Sequence, residues 1–269
     1  MKQQPKLYIY PTLLDSFTTY QNAETEWEKY YGMSDEPKVT LQEFEDKCFN
    51  ELIDKINRVP YEPSEAVSKG TAFNDIVDTL LHGKCCGRTK LGRIVNQEDF
   101  KTVIGVSAEI DGFGFNFDYK LCKDAAEYFK GSVSQVLVEA NIETKYGVVN
   151  LYGFIDELRE DTVYDIKTTS RYEFGKYSKY WQRYVYPYCL IESGMMKSVK
   201  QFEFTCYQMK NPTKYSPMIT AVQYPETYTY NHQDSKKAIR EVLERFYEFL
   251  DEHKHLITDE KIFTEHKHE

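Results

Sequence analysis

Leu151-Tyr-Gly-Phe-Ile-Asp156-Glu-Leu-Arg-Glu-Asp-Thr-Val-Tyr-Asp165-Ile-Lys167-Thr-Thr169 is the stretch whose reading decides the fold. Leu151, Phe154, Ile155 and Leu158 are apolar, Arg159 to Thr162 form a polar turn, and Val163, Tyr164 and Ile166 resume the apolar run. That pattern predicts two strands of a half-buried hairpin. Residues two apart on a strand share a face, so Asp165 stands beside Lys167 while Ile166 turns the other way, into the core. Asp156 sits on the preceding strand and faces them across the pair. Taken singly, each is an ordinary charge on a wet strand face. Two carboxylates and an ammonium converging on one face instead suit a hard cation and a reacting anion: Mg²⁺ takes one or two carboxylates, and a lysine beside them can orient water or offset charge on a phosphate.

Outward from the hairpin, Ser134 to Thr144 predicts the preceding strand, carrying Glu139, and Tyr146-Gly147 a turn before Val148 to Asp156. After it, an aromatic helix is expected over about Ser178 to Ser193, containing Gln182, Arg183 and Tyr186. Gln182 and Tyr186 are four apart and so share a helical face. Phe202 to Gln208 reads as a further strand, Pro212 to Pro225 as loop with a short strand at Ile219 to Val222, and Gln233 to about His255 as a terminal amphipathic helix.

Nearer the start, Thr12 or Asp15 is expected to cap a helix reaching about Tyr31. Thr40-Leu-Gln-Glu43 is a capping-box pattern opening a helix to about Asn57. A third helix spans about Ser64 to His82 and contains Gly70, Asn74 and Asp78. Thr89 to Phe117 holds short strand candidates around an Asp111-Gly112 turn, and Tyr119 to Phe129 another helix. The expected fold is one α+β domain over 1–269: a helical lobe at about 1–63, a core at about 64–225 with a mixed β-sheet flanked by helices, and a C-terminal helix at about 233–256.

No apolar run is long enough for a transmembrane helix, and no apolar stretch follows the N-terminus as a signal peptide requires. Six cysteines with no C-x-x-C pair read as reduced thiols in a cytoplasmic protein; Cys85-Cys86 beside His82 is a minor metal-ligand candidate. The net charge of -9 is unevenly spread. Glu24 to Asp54 has 10 acidic and 3 basic residues, whereas Asp165 to Leu190 has 5 basic and 2 acidic. The surroundings of the hairpin are thus locally basic, and Arg171 to Tyr188 interleaves basic and aromatic residues as single-strand binders do, although core packing is the ordinary fate of such rings.

Gly153-Phe-Ile-Asp156 followed by Asp165-Ile-Lys167-Thr-Thr resembles the PD-(D/E)XK nuclease superfamily, and more narrowly the RecB-like, phage-type exonucleases. Gln182-Arg-Tyr-Val-Tyr186 matches the Gln-x-x-x-Tyr signature that follows in that family, and Pro11-Thr-Leu-Leu-Asp-Ser-Phe resembles its N-terminal helix start. The resemblance implies a restriction-endonuclease-like core and a Mg²⁺-dependent (or Mn²⁺-dependent) DNA exonuclease without a membrane association, acting on a single strand or duplex end, with a recombination or phage protein as a possible partner. It implies catalytic roles for Asp156, Asp165 and Lys167, a site lined by Gln182, Tyr186, Arg183 and Thr168, and metal ligands drawn from Asp156, Asp165, Asp78, Asn74 and Glu139. The chain departs from the family where Gly70-Thr-Ala-Phe-Asn74 puts Asn in the place of a frequent His. Asn offers only an amide oxygen, a weaker ligand than imidazole. No iron–sulfur cluster is expected, because the matching cysteines are missing. The alternatives are a catalytically weakened nuclease-fold module that binds nucleic acid or a protein partner, and an endonuclease on the same fold.

Overall fold

The computed structural model describes residues 5–34, 36–83 and 87–263. Cys85, Cys86, His266 and His268 lie outside them. The fold is α+β. A mixed six-stranded sheet is built from β1 (Leu7–Ile9), β5 (Val133–Thr144), β6 (Gly147–Arg159), β7 (Thr162–Thr169), β8 (Gln201–Lys210) and β9 (Thr220–Thr229). A separate antiparallel sheet holds β2 (Lys90–Val95), β3 (Val103–Ile110) and β4 (Phe113–Asp118). The helices are α1 (Pro11–Gln21), α2 (Ala23–Tyr31), α3 (Leu41–Ile56), α4 (Glu65–His82), α5 (Tyr119–Tyr128), α6 (Gln182–Glu192) and α7 (His232–Glu252).

The strand period of two sorts the side chains of β7 between two cores. Val163 enters a core shared with Leu14 and Phe17 of α1, Leu52 of α3, Val185 of α6 and Phe246 of α7. Tyr164 and Ile166 enter the other, with Phe73 and Ile76 of α4, Cys122 of α5 and Phe117 of β4. Helices therefore cover both faces of the large sheet, and Asp165 and Lys167 point to the α1 and α6 side.

Several expected boundaries hold because local chemistry sets them. Thr40 and Glu43 form both halves of the capping box at the start of α3. The Ser64 hydroxyl caps α4. Others differ. Neither Thr12 nor Asp15 caps α1: the helix starts at Pro11, which needs no N–H partner there. The helix also breaks at Asn22 and resumes as α2, rather than running unbroken to Tyr31. The aromatic helix is shorter than expected, because residues 174–179 form turns before α6 begins at Gln182. The expected short strand at Ile219 is β9, which runs through Pro225 to Thr229. An edge strand tolerates that proline, since no ladder bond is required of its missing N–H.

The pairing of β6 sets the positions of Asp156 and Asp165. β6 carries β5 along one edge and two strands along the other. β1 runs parallel to its first half (Leu7 opposite Val149, Ile9 opposite Leu151), and β7 runs antiparallel to its last three residues, Glu157 to Arg159. Beyond Glu157–Tyr164 the β6–β7 ladder stops, and β7 continues along β8 in parallel register to Thr169–Gln208. The sheet forks there, and Asp156 and Asp165 are the first residues inside the fork.

Candidate functional site

At the fork the backbone ladder is replaced by a side chain. Asp156 Oδ2 accepts the N–H of Ile166 at 2.7 Å. On its other edge Asp156 is also outside the ladder: the register joins Ser134 to Glu157 and Val136 to Ile155 and passes over Gln135, whose φ is +54°. A non-glycine residue with positive φ is uncommon and, inside a strand, marks a distortion. Gln135 Nε2 turns to donate to Asp78 Oδ2 at 3.2 Å.

Asp165 and Lys167 meet as their spacing predicts. Lys167 Nζ lies 2.7 Å from Asp165 Oδ2, with the lysine side chain 19% exposed and the aspartate 4%. Gln182, the first residue of α6, closes a triangle. Its Nε2 donates to Asp165 Oδ1 at 2.8 Å and its Oε1 accepts from Lys167 Nζ at 3.1 Å. The ammonium also lies 5.5 Å from the ring centre of Tyr180 and 5.7 Å from that of Phe204, in reach of cation–π attraction. Tyr186, one turn on from Gln182, is buried and packs against β6 at Gly153, where a Cβ would come within 2.7 Å of its ring. That contact requires the glycine in Gly153-Phe-Ile-Asp156.

Burial and like charge dominate the electrostatics. Loss of solvent pushes the Asp156 carboxyl up to about 8, and the charge of Asp165 adds to the rise, while the Ile166 N–H and Lys167 oppose it. Asp165 is also raised by burial, with Lys167 pulling it back. Burial works against the Lys167 ammonium, yet Asp165 and Asp156 outweigh it and hold its pKa above the usual lysine value. Asp78, on α4, is pushed up to about 7, by burial first and then by the neighbouring charge of Glu157, with Gln135 opposing the rise. Glu157 is fully buried and accepts from the hydroxyls of Ser132 and Ser134, the latter at 2.7 Å. Burial raises it as well.

Not every expected residue reaches the fork. Glu139 lies opposite Tyr152, and its exposed carboxylate accepts from Asn150 Nδ2 at 2.8 Å. It is displaced along β5 because the register is fixed by the Tyr146-Gly147 turn. Arg183 turns away to stack on Tyr184 and Tyr228, 4.6 and 4.4 Å from the ring centres, since its neighbour Gln182 takes the inward face of α6. Thr168 points to the opposite face from Lys167, where α4 packs so closely that a Cβ at Gly70 would come 2.8 Å from its hydroxyl. Asn74 lies on α4 one turn before Asp78, and its Oδ1 is buried with no hydrogen-bond donor.

One residue beside the site carries a sequence signal only as a helix cap. Asp15 of α1 accepts the backbone N–H of Trp181 through Oδ1 at 2.8 Å, while Oδ2 is buried without a donor. Burial raises its carboxyl to about 6, opposed by the Trp181 N–H and by the charges of Lys167 and Lys55. Asp15 thus fixes the residue that precedes Gln182 and sets a third acid near the Lys167 ammonium. The partners are separated by 166 residues in the chain, so no local pattern could have joined them.

No family model and no curated protein matches the chain. Among solved structures, SSO0001 is similar at a TM-score of 0.39 and 10% identity, over 90% of this chain and 77% of that one. A likeness at that level says nothing about the chemistry of the fork. Among the described residues, no group of three or more His, Cys, Asp and Glu is arranged to hold a metal ion, and no helix is long and apolar enough to cross a membrane. The cysteines Cys48, Cys122, Cys189 and Cys206 are free thiols in the core.

Proposed function

We propose that the chain is a metal-dependent DNA nuclease, an exonuclease of the RecB-like type, in which α4, β5 to β7, α6 and β8 make a restriction-endonuclease-like core. The observation that carries the reading is the triangle of Asp165, Lys167 and Gln182 beside Asp156 at the fork. A structural ion pair does not need a glutamine held by both its partners, nor a second carboxyl whose ionisation is suppressed alongside it.

The donors present fit a hard divalent cation. Asp156 and Asp165 supply two carboxylates, and the buried Asn74 Oδ1 is an amide oxygen with no donor of its own. Mg²⁺ is held by one or two carboxylates and takes its remaining ligands from water and phosphate, so no three-residue cluster is required. Asp78 acts on Asp156 through its charge, and its unpartnered Oδ1 is a further oxygen donor. When bound, Mg²⁺ or Mn²⁺ lowers the pKa of a water and neutralises phosphate charge.

The protein's own residues have separable tasks. Lys167 stays protonated because Asp165 and Asp156 favour its charge, and it places an ammonium against the non-bridging phosphate oxygens or the attacking water. Gln182 fixes the direction of that ammonium, and Tyr180 and Phe204 keep water from one side of it. Tyr186 holds β6 against α6, which keeps Asp156 at its distance from β7. The weakened-site alternative rests on Asn74, whose amide oxygen replaces an imidazole.

Incubation with linear and circular DNA in Mg²⁺ or Mn²⁺ tests the reading. Degradation of linear DNA alone is expected, and Lys167→Ala should abolish it. No cleavage of either substrate overturns the enzyme, and cutting of circles overturns the exonuclease in favour of an endonuclease.

A further inference from the structure

A groove of about 610 Å³ opens between α2 and residues 173–181, and Asp15, Tyr180 and Trp181 are part of its lining. The Tyr180 ring stands between this groove and the fork, with its centre 5.5 Å from Lys167 Nζ. Its walls carry two largely exposed rings, Phe174 at 80% and Tyr30 at 60%, the latter 5.5 Å from Lys29 Nζ. The other rings of the aromatic stretch are accounted for elsewhere: Tyr177, Trp181, Tyr186 and Tyr188 are buried, and Tyr172 stacks on Tyr224 at 4.1 Å.

The walls are joined by two crossed ion pairs. Lys29 of α2 reaches Glu173 at 3.4 Å, and Lys179 reaches back to Glu26 of α2 at 3.5 Å. Both pairs are partly exposed, so each contributes little to stability and exchanges readily for another anion. A row of lysines beside exposed aromatic faces is the chemistry that binds an unpaired polynucleotide: phosphates track the cations and bases stack on the rings. The volume is that of a small-ligand pocket, suited to a short run of single strand and not to a duplex.

We infer that the groove takes the unpaired end of a polynucleotide, whose bases stack on Phe174 and Tyr30 and whose phosphates displace Glu173 from Lys29 and Glu26 from Lys179. The inference rests on the nuclease reading for its direction toward Lys167, and its binding chemistry stands apart from cleavage. The two glutamates are competitors of the substrate. They occupy the lysines in the free protein, so removing their charge strengthens binding rather than weakening it.

The test is fluorescence anisotropy with a fluorescein-labelled oligonucleotide, single-stranded or annealed into a blunt duplex, in EDTA so that nothing is cut. The wild type should prefer the single strand. Phe174→Ala should weaken it about tenfold, and the Lys29→Ala, Lys179→Ala double variant should weaken it and flatten its salt dependence. The Glu26→Gln, Glu173→Gln double variant should bind several-fold tighter at low salt and lose the advantage at high salt. All these side chains are at the surface, and circular dichroism of each variant checks folding. The inference is overturned if the wild type binds neither probe, if it binds the duplex as tightly, if the glutamine variant binds more weakly, or if poly-glutamate displaces the strand at equal charge concentration. Strand binding in EDTA without cleavage in Mg²⁺ keeps the groove and removes the nuclease. Cleavage indifferent to Phe174 and Lys29 does the reverse.

Discussion

Asp156 accepts the backbone N–H of Ile166 at 2.7 Å, across the point where β6 and β7 part. A side chain takes over a strand's hydrogen bond there, and it brings a carboxyl to within the influence of Asp165. The arrangement is costly, and its cost can be measured.

Asp156→Asn keeps an oxygen for the Ile166 N–H and removes the charge. A carboxyl raised to about 8 by folding stays protonated while its unfolded counterpart ionises near about pH 4. The unfolded state then binds fewer protons, so the group's contribution to stability falls as pH rises through that window. The variant should be more stable than wild type at pH 8, by about 1–3 kcal/mol, and similar to it at pH 4, while losing cleavage. Thermal melts at the two pH values decide this; equal melting at pH 8 would contradict it.

Millimolar Mg²⁺ should raise the melting temperature of the metal-free wild type at pH 8 by several degrees, since a ligand at 100 times its dissociation constant adds about 2.7 kcal/mol. Asp165→Asn should lose most of the shift. A wild type indifferent to Mg²⁺ and Mn²⁺ speaks for the binding module with a decayed centre, and Asn74→His is then the substitution expected to restore the response.

Gln182→Ala leaves Asp165 Oδ1 without its donor and Lys167 without a guide. The buried unsatisfied oxygen costs about 1–3 kcal/mol. Turnover should fall about tenfold to a hundredfold with KM little changed, as for loss of orientation in the reacting complex. A rise in KM alone would assign Gln182 to substrate binding instead.

Gly153→Ala forces a methyl against the Tyr186 ring. Overpacking of this kind costs about 1–3 kcal/mol. In a Tyr186→Leu background the penalty should shrink, and a double-mutant cycle of melting free energies reads the coupling directly. Additive effects would mean that the ring yields without strain.

What was legible in the sequence follows the range of the interactions. Asp165 and Lys167 were placed on one face because the strand period is local, and Thr40–Glu43 because a capping box spans one turn. Asp156 opposite Asp165 came from the same hairpin. Glu139 and Arg183 have the expected type and neighbourhood but lie away from the fork, because the four-residue offset of Glu139 from Gln135 along β5 and the single inward position at the start of α6 are set by packing. Asp15 has the local pattern of a helix cap, because the residue it serves, Trp181, is adjacent only in the folded chain. The fork was invisible for the same reason, since it needs β1 to occupy half of one edge of β6.

The Asp15–Trp181 bond and the pairing of Leu7 with Val149 tie the start of the chain to elements made much later. Closing such long loops is entropically costly, so these contacts hold only when the packing around them is complete. Loosening the first dozen residues should therefore loosen the start of α6 as well, and with it the hold of Gln182 on Asp165 and Lys167.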